Sequence, residues 1–147
     1  MIGFEGQISA LSQINSSGLG FFMHSLSDVS GPATQNRGYE PIWFSLRRVL
    51  EQIDYNQDGN DDVNDLRTIL NENVWGYPKA SIITCIASAE NELDTLIALV
   101  AELACVEPYH SFRTNTYDDL IPGDNLYAAN NSIIRNNANT FCDRYMG

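Results

Sequence analysis

The chain is short of positive charge, of histidine and of cysteine, and each shortage removes a class of function. Lys79 is the single lysine, and Lys+Arg total 8 against Asp+Glu 19, for a formal charge of −11. So acidic a surface gives no footing for a phosphate backbone or an anionic lipid headgroup, and neither a nucleic acid nor a membrane is expected as a partner. The three cysteines, Cys85, Cys105 and Cys142, are odd in number and lack Cys-x-x-Cys spacing. That argues against a disulfide framework or a zinc site and for small buried side chains in a reducing compartment. His24 and His110 are the only histidines, and no zinc-protease, nucleophile-elbow, P-loop or dinucleotide fingerprint is present. Nothing local assembles a thiol dyad from these residues. Long apolar runs are missing too. The most apolar window, Leu93 to Val106, is too short for a bilayer and contains Asp94 and Glu102. Met1 to Leu11 carries Glu5 and no basic residue before an apolar run, so cytoplasmic synthesis without a signal peptide is expected.

What is present is enough for one domain. A chain of 147 residues, 44% hydrophobic, can bury a real core. Phe4, Ile8, Leu11 and Ile14 recur at helical spacing, and Ser16 to Gly20 stops that run. Phe21 to Val29 reads equally as a helical turn or an extended piece. Pro41 suits the first turn of a helix reaching about Ile53, with Leu46, Val49, Leu50 and Ile53 as its apolar face. Leu66, Ile69 and Leu70 form the face of a second helix that ends near Trp75-Gly76. From Pro78 to about Val106, Ile82, Ile86, Ala89, Leu93, Ile97, Val100 and Ala104 recur at steps of three and four. That spacing predicts one helix roughly 40 Å long. Glu90, Glu92 and Asp94 would lie on its solvated side, which explains them better than acid–base chemistry. Its second half, Leu96 to Ala101, is apolar all round and asks for cover from other helices or another chain. Asp124 can cap a last helix, about 124–145. The expected fold is therefore all-α, a single domain of five to six helices with one long central helix.

Between the two middle helices runs Asp54-Tyr55-Asn56-Gln57-Asp58-Gly59-Asn60-Asp61-Asp62-Val63-Asn64-Asp65. Counted as twelve positions, it has carboxylate or amide oxygens at 1, 3, 5, 9 and 12 and glycine at 6. A hard dication takes six to eight oxygens, and alternating residues of a tight loop can aim Asp54, Asn56 and Asp58 inward. Gly59 permits the sharp turn. Asp, Asn and Gly also collect in ordinary solvated turns, so the loop alone is not decisive.

The flanking residues add to it. Over about 43–75 the chain resembles the EF-hand helix–loop–helix, with Leu46, Val49, Leu50 and Ile53 before the loop and Leu66, Ile69 and Leu70 after it. The resemblance implies Ca2+ as cofactor, held by Asp54, Asn56, Asp58, the Asn60 carbonyl, Asp62 directly or through water, and Asp65. Two positions depart from the family. Asp65 stands where a bidentate glutamate is usual, and Asp61 stands at position 8, where an apolar residue usually pairs with a sister loop. No second loop occurs in the chain. The implied site is an unpaired staple between two helices and not a switch.

The function expected on these grounds is that of a non-catalytic, calcium-binding structural or interaction protein. A homo-oligomer or a subunit among other protein subunits fits this reading, including incorporation into a virion or phage particle. A calcium-responsive regulator and an enzyme with an unrecognised site are the alternatives, the first distinguished by calcium-dependent exposure of an apolar groove.

Overall fold

A computed structural model of the chain describes residues 12–25, 40–73, 77, 81–86, 98–104, 109–114, 126 and 128. They form five strands and two helices. The strands are β1 (Ser12–Ile14), β2 (Gly20–Ser25), β3 (Ser81–Ile86), β4 (Ala98–Leu103) and β5 (His110–Thr114). The helices α1 (Ile42–Glu51) and α2 (Val63–Glu72) fall between β2 and β3 in the chain. The strands make one antiparallel sheet in the order β1-β2-β3-β4-β5. The domain is thus mixed α and β, and the all-α expectation of five to six helices is overturned.

The largest correction is the expected long helix, about 78–106. Its span contains β3 and β4, which pair from Ser81↔Leu103 to Ile86↔Ala98. Ile82, Ile83, Thr84 and Ile86 are β-branched and favour a pleated surface. β4 reads as a helix in sequence because it is buried on both faces: Leu99 to Leu103 are all enclosed. A strand covered on both sides loses the alternation that would identify it. The run Leu96 to Ala101 therefore needs no neighbouring chain to explain its apolarity at positions 98–101. Ser12–Ile14 is likewise a strand and not the end of a helix, while Phe4, Ile8 and Leu11 lie outside the described residues. So does the expected helix about 124–145, apart from Leu126 and Ala128.

Register sorts the sheet into two faces. Phe21, Met23, Leu99, Ala101, Leu103 and Phe112 share the face on which the helices lie. Leu46 and Val49 of α1 and Val63, Leu66, Ile69 and Leu70 of α2 complete that core. The helix pair is thus placed where the sequence predicts it, although α1 stops at Glu51 and α2 at Glu72. Ile53, expected on the apolar face of α1, lies beyond its end and is 63% exposed. Tyr77 ties the layers together. Its N–H donates to the Ala104 carbonyl at 3.1 Å, and its hydroxyl donates to Ser45 Oγ of α1 at 3.0 Å. On the opposite face Val100 and Ala104 are covered by Leu126 and Ala128. Glu102 and Arg113, which register places on that same face, form a fully enclosed ion pair.

The β1–β2 turn is closed by backbone bonds from Asn15 N–H to Leu19 O and from Gly18 N–H to Asn15 O, and one side chain reinforces it. Asn15 Oδ1 accepts from the N–H groups of Ser17 and Leu19, both at 3.0 Å. Gly18 takes a φ of 89°, which a side chain would resist.

Candidate metal centre

The segment 54–65 joins α1 to the first turn of α2, and its side chains fold it by accepting hydrogen bonds from its own backbone. Asp54 accepts with both oxygens, from Asp58 N–H at 2.8 Å and Gly59 N–H at 3.0 Å. Asn56 Oδ1 also accepts from Asp58 N–H, at 3.0 Å, and Asn56 Nδ2 donates to Asp58 Oδ2 at 2.8 Å. Asp58 Oδ1 accepts from Asn60 N–H at 2.9 Å. Asp54, Gln57 and Gly59 have positive φ, of 54°, 63° and 97°. Aspartate tolerates this region better than most residues. A Cβ at Gly59 would meet nothing within 4 Å, so backbone conformation and not crowding calls for glycine there.

The second half of the loop is a helix cap. Asp62 is the N-cap of α2, and its Oδ1 accepts from Asn64 N–H at 2.7 Å. Asp65, three residues on, accepts from Asp62 N–H at 2.8 Å through Oδ2, closing a capping box. Asp65 Oδ1 reaches back across the loop to Asn56 N–H at 2.9 Å. The last loop position therefore holds both ends of the loop at once, with its side chain fully enclosed. Burial pushes the Asp65 carboxyl above its ordinary value; the two backbone hydrogen bonds oppose this, and the charges of Asp61 and Asp58 add to it.

Asp61, position 8, was not expected among the site residues, and it has a distant partner. Asn15 Nδ2 of the β1–β2 turn donates to Asp61 Oδ2 at 2.8 Å. Asp61 is 7% exposed, and its Oδ1, also buried, accepts no hydrogen bond. Where an EF-hand meets a sister loop, this chain meets a β-turn. No local signal in the sequence marks this pairing, because the two residues lie 46 positions apart.

All six residues expected to ligate, Asp54, Asn56, Asp58, Asn60, Asp62 and Asp65, thus lie in one loop. Asp58 faces solvent, Asp54, Asn56 and Asn60 are half-buried, and Asp62 and Asp65 are enclosed. Their donor chemistry, oxygen throughout, fits a hard dication. The side chains of Asp54, Asn56, Asp58, Asp62 and Asp65 are turned to backbone N–H groups. Among the described residues no three acidic, histidine or cysteine side chains converge as a metal site. A carboxylate oxygen that accepts one hydrogen bond keeps a second lone pair for a ligand.

The other candidates separate. His24 in β2 and His110 in β5 fall on opposite faces of the sheet by register, so they cannot act together. The His110 ring packs edge-on to Tyr77 at 6.2 Å. Cys105 and Cys142 lie outside the described residues. Among the described residues no helix is long and apolar enough to cross a membrane. Compared with family models, curated proteins and solved structures, the chain gives no match.

Proposed function

We propose that this protein binds Ca2+ in the loop 54–65 and that the ion serves as a structural staple, fixing α1 and α2 in their angle over the sheet. The observation that carries this reading is buried charge. Asp61 and Asp65 are enclosed carboxylates, and among the described residues neither makes an ion pair with a lysine or arginine. Asp65 accepts a backbone N–H on each oxygen, and these two bonds oppose the upward push of burial on its carboxyl without cancelling it. Enclosed charges are ordinarily paired or bound to a metal, because leaving one uncompensated is costly. A dication at the loop would compensate both. The side chains of Asp54, Asn56, Asp58 and Asp65 and the carbonyl of Asn60 would hold it, with Asp62 direct or through water. The resemblance to the EF-hand supports the same ligand set.

Calcium titration by calorimetry, with thermal melts in calcium and in chelator, tests the reading. Heat of binding and a higher Tm in calcium are expected; no heat together with no shift rejects it. In its wider form the reading makes the chain a structural subunit of a larger assembly. Sedimentation that gives a lone monomer with and without calcium would remove that part alone.

A further inference from the structure

We propose that Asn15 is a positioning residue for the cation loop, so that calcium affinity is set partly from the β1–β2 turn, outside the helix–loop–helix. This rests on the calcium reading above. Two observations on one carboxylate carry it. The Asn15 Nδ2 to Asp61 Oδ2 bond, 2.8 Å, joins the turn to the loop. Asp61 is more than nine-tenths buried, and its other oxygen accepts no hydrogen bond. A buried carboxylate with one oxygen anchored and one unsatisfied points to a missing positive partner.

The geometry explains how the effect would travel. Asp61 sits between Asn60, whose carbonyl is offered to the ion, and Asp62, which caps α2. Anchoring Asp61 therefore fixes the backbone on both sides before the ion arrives, and ordering done in advance is not charged against binding. The anchor is itself rigid, because Asn15 Oδ1 is held by the N–H groups of Ser17 and Leu19. One amide thus spans two structures: its oxygen reinforces the turn and its nitrogen holds the loop.

The two halves of that amide can be tested separately. Asn15→Asp keeps the oxygen that reinforces the turn and replaces the donor with a carboxylate facing Asp61. If only local charge mattered, the added negative charge would strengthen calcium binding. Loss of positioning predicts the opposite sign, a Kd weaker by about tenfold, the scale of one charge-assisted hydrogen bond only partly coupled to binding. The exchange variant Asn15→Asp/Asp61→Asn restores the bond with donor and acceptor swapped, at unchanged net charge, and should recover most of the affinity. Calorimetry on the full chain reads all three proteins. A wild type that binds, with Asn15→Asp binding as tightly or more tightly, overturns this inference and leaves the calcium reading standing. A wild type that binds nothing overturns both. Should Asn15→Asp fail to fold, hydrogen exchange of the wild type decides: the Ser17 and Leu19 amides should exchange severalfold more slowly in calcium than in chelator, and no difference overturns the coupling.

Discussion

Glu102 and Arg113 meet inside the protein, with Glu102 Oε1 3.6 Å from Arg113 Nε and both side chains wholly shielded from water. Register makes them diagonal neighbours on β4 and β5, since Glu102 pairs with Ser111 and Val100 with Arg113. Charges so enclosed are costly to separate and not especially stabilising together. Arg113→Met should lower stability by about 3–5 kcal/mol by leaving the glutamate charge enclosed. Glu102→Leu/Arg113→Met should recover most of that loss. Denaturant unfolding of both variants checks it, and equal damage from the single and double variants would refute it.

Calcium ligation should fail one residue at a time. Asp54→Ala and Asp58→Ala should each abolish the calcium-dependent rise in Tm. Asp54→Ala should also destabilise the apo protein, because it strips the acceptors from Asp58 and Gly59 N–H. Paired melts in calcium and chelator separate the two effects. A calcium shift that survives in either variant would remove that residue from the ligand set.

Gly59→Ala isolates backbone strain. With open space around the new methyl and a φ of 97°, the cost is conformational and should be about 1 kcal/mol. Chemical denaturation in chelator measures it. A neutral result would mean that the loop relaxes away from this φ.

Tyr77 should give the protein an alkaline limit. Burial pushes its hydroxyl from the ordinary 10.0 up to about 12. Because the folded-state value is raised, the tyrosine's contribution is complete below pH 10 and is lost as the pH climbs to about 12, where the unfolded chain releases its proton first. The loss across that window is roughly 2–3 kcal/mol. Tyr77→Phe should start about 1 kcal/mol lower, having left buried Ser45 without its donor. The wild-type curve should then fall through that of Tyr77→Phe between pH 10 and 12, and parallel curves would contradict the assignment.

The helix–loop–helix was legible in the sequence and the sheet was not, for a physical reason. Leu46, Val49, Leu66, Ile69 and Leu70 each lie on a helix with one solvated side, so their spacing survives as a pattern. β4 has no solvated side over Leu99 to Leu103, and its apolar run carries no period. Ile82, Ile86 and Val100 fall at helix-like steps although β3 and β4 hold them in two strands. The acidic loop was legible as a run of oxygen-bearing side chains between two helices. Its fold was less so. Asp62 and Asp65 double as a capping box, and Asp61 answers to Asn15 in a turn far up the chain. A lone asparagine in a polar turn gives no sign of a distant carboxylate.

The insertion of both helices between two adjacent strands has a consequence in time. Ser25 and Ser81 are partners in the sheet, yet everything from α1 to α2 lies between them in the chain. The middle of the sheet is thus its most expensive contact to close, while the helix pair is made of near neighbours. The order of assembly that follows puts the hairpin of helices first and the β2–β3 seam late. An ion that sets the helix pair early would shorten the effective span left to close. In stopped-flow refolding, calcium should then speed the formation of the sheet and leave its unfolding rate little changed.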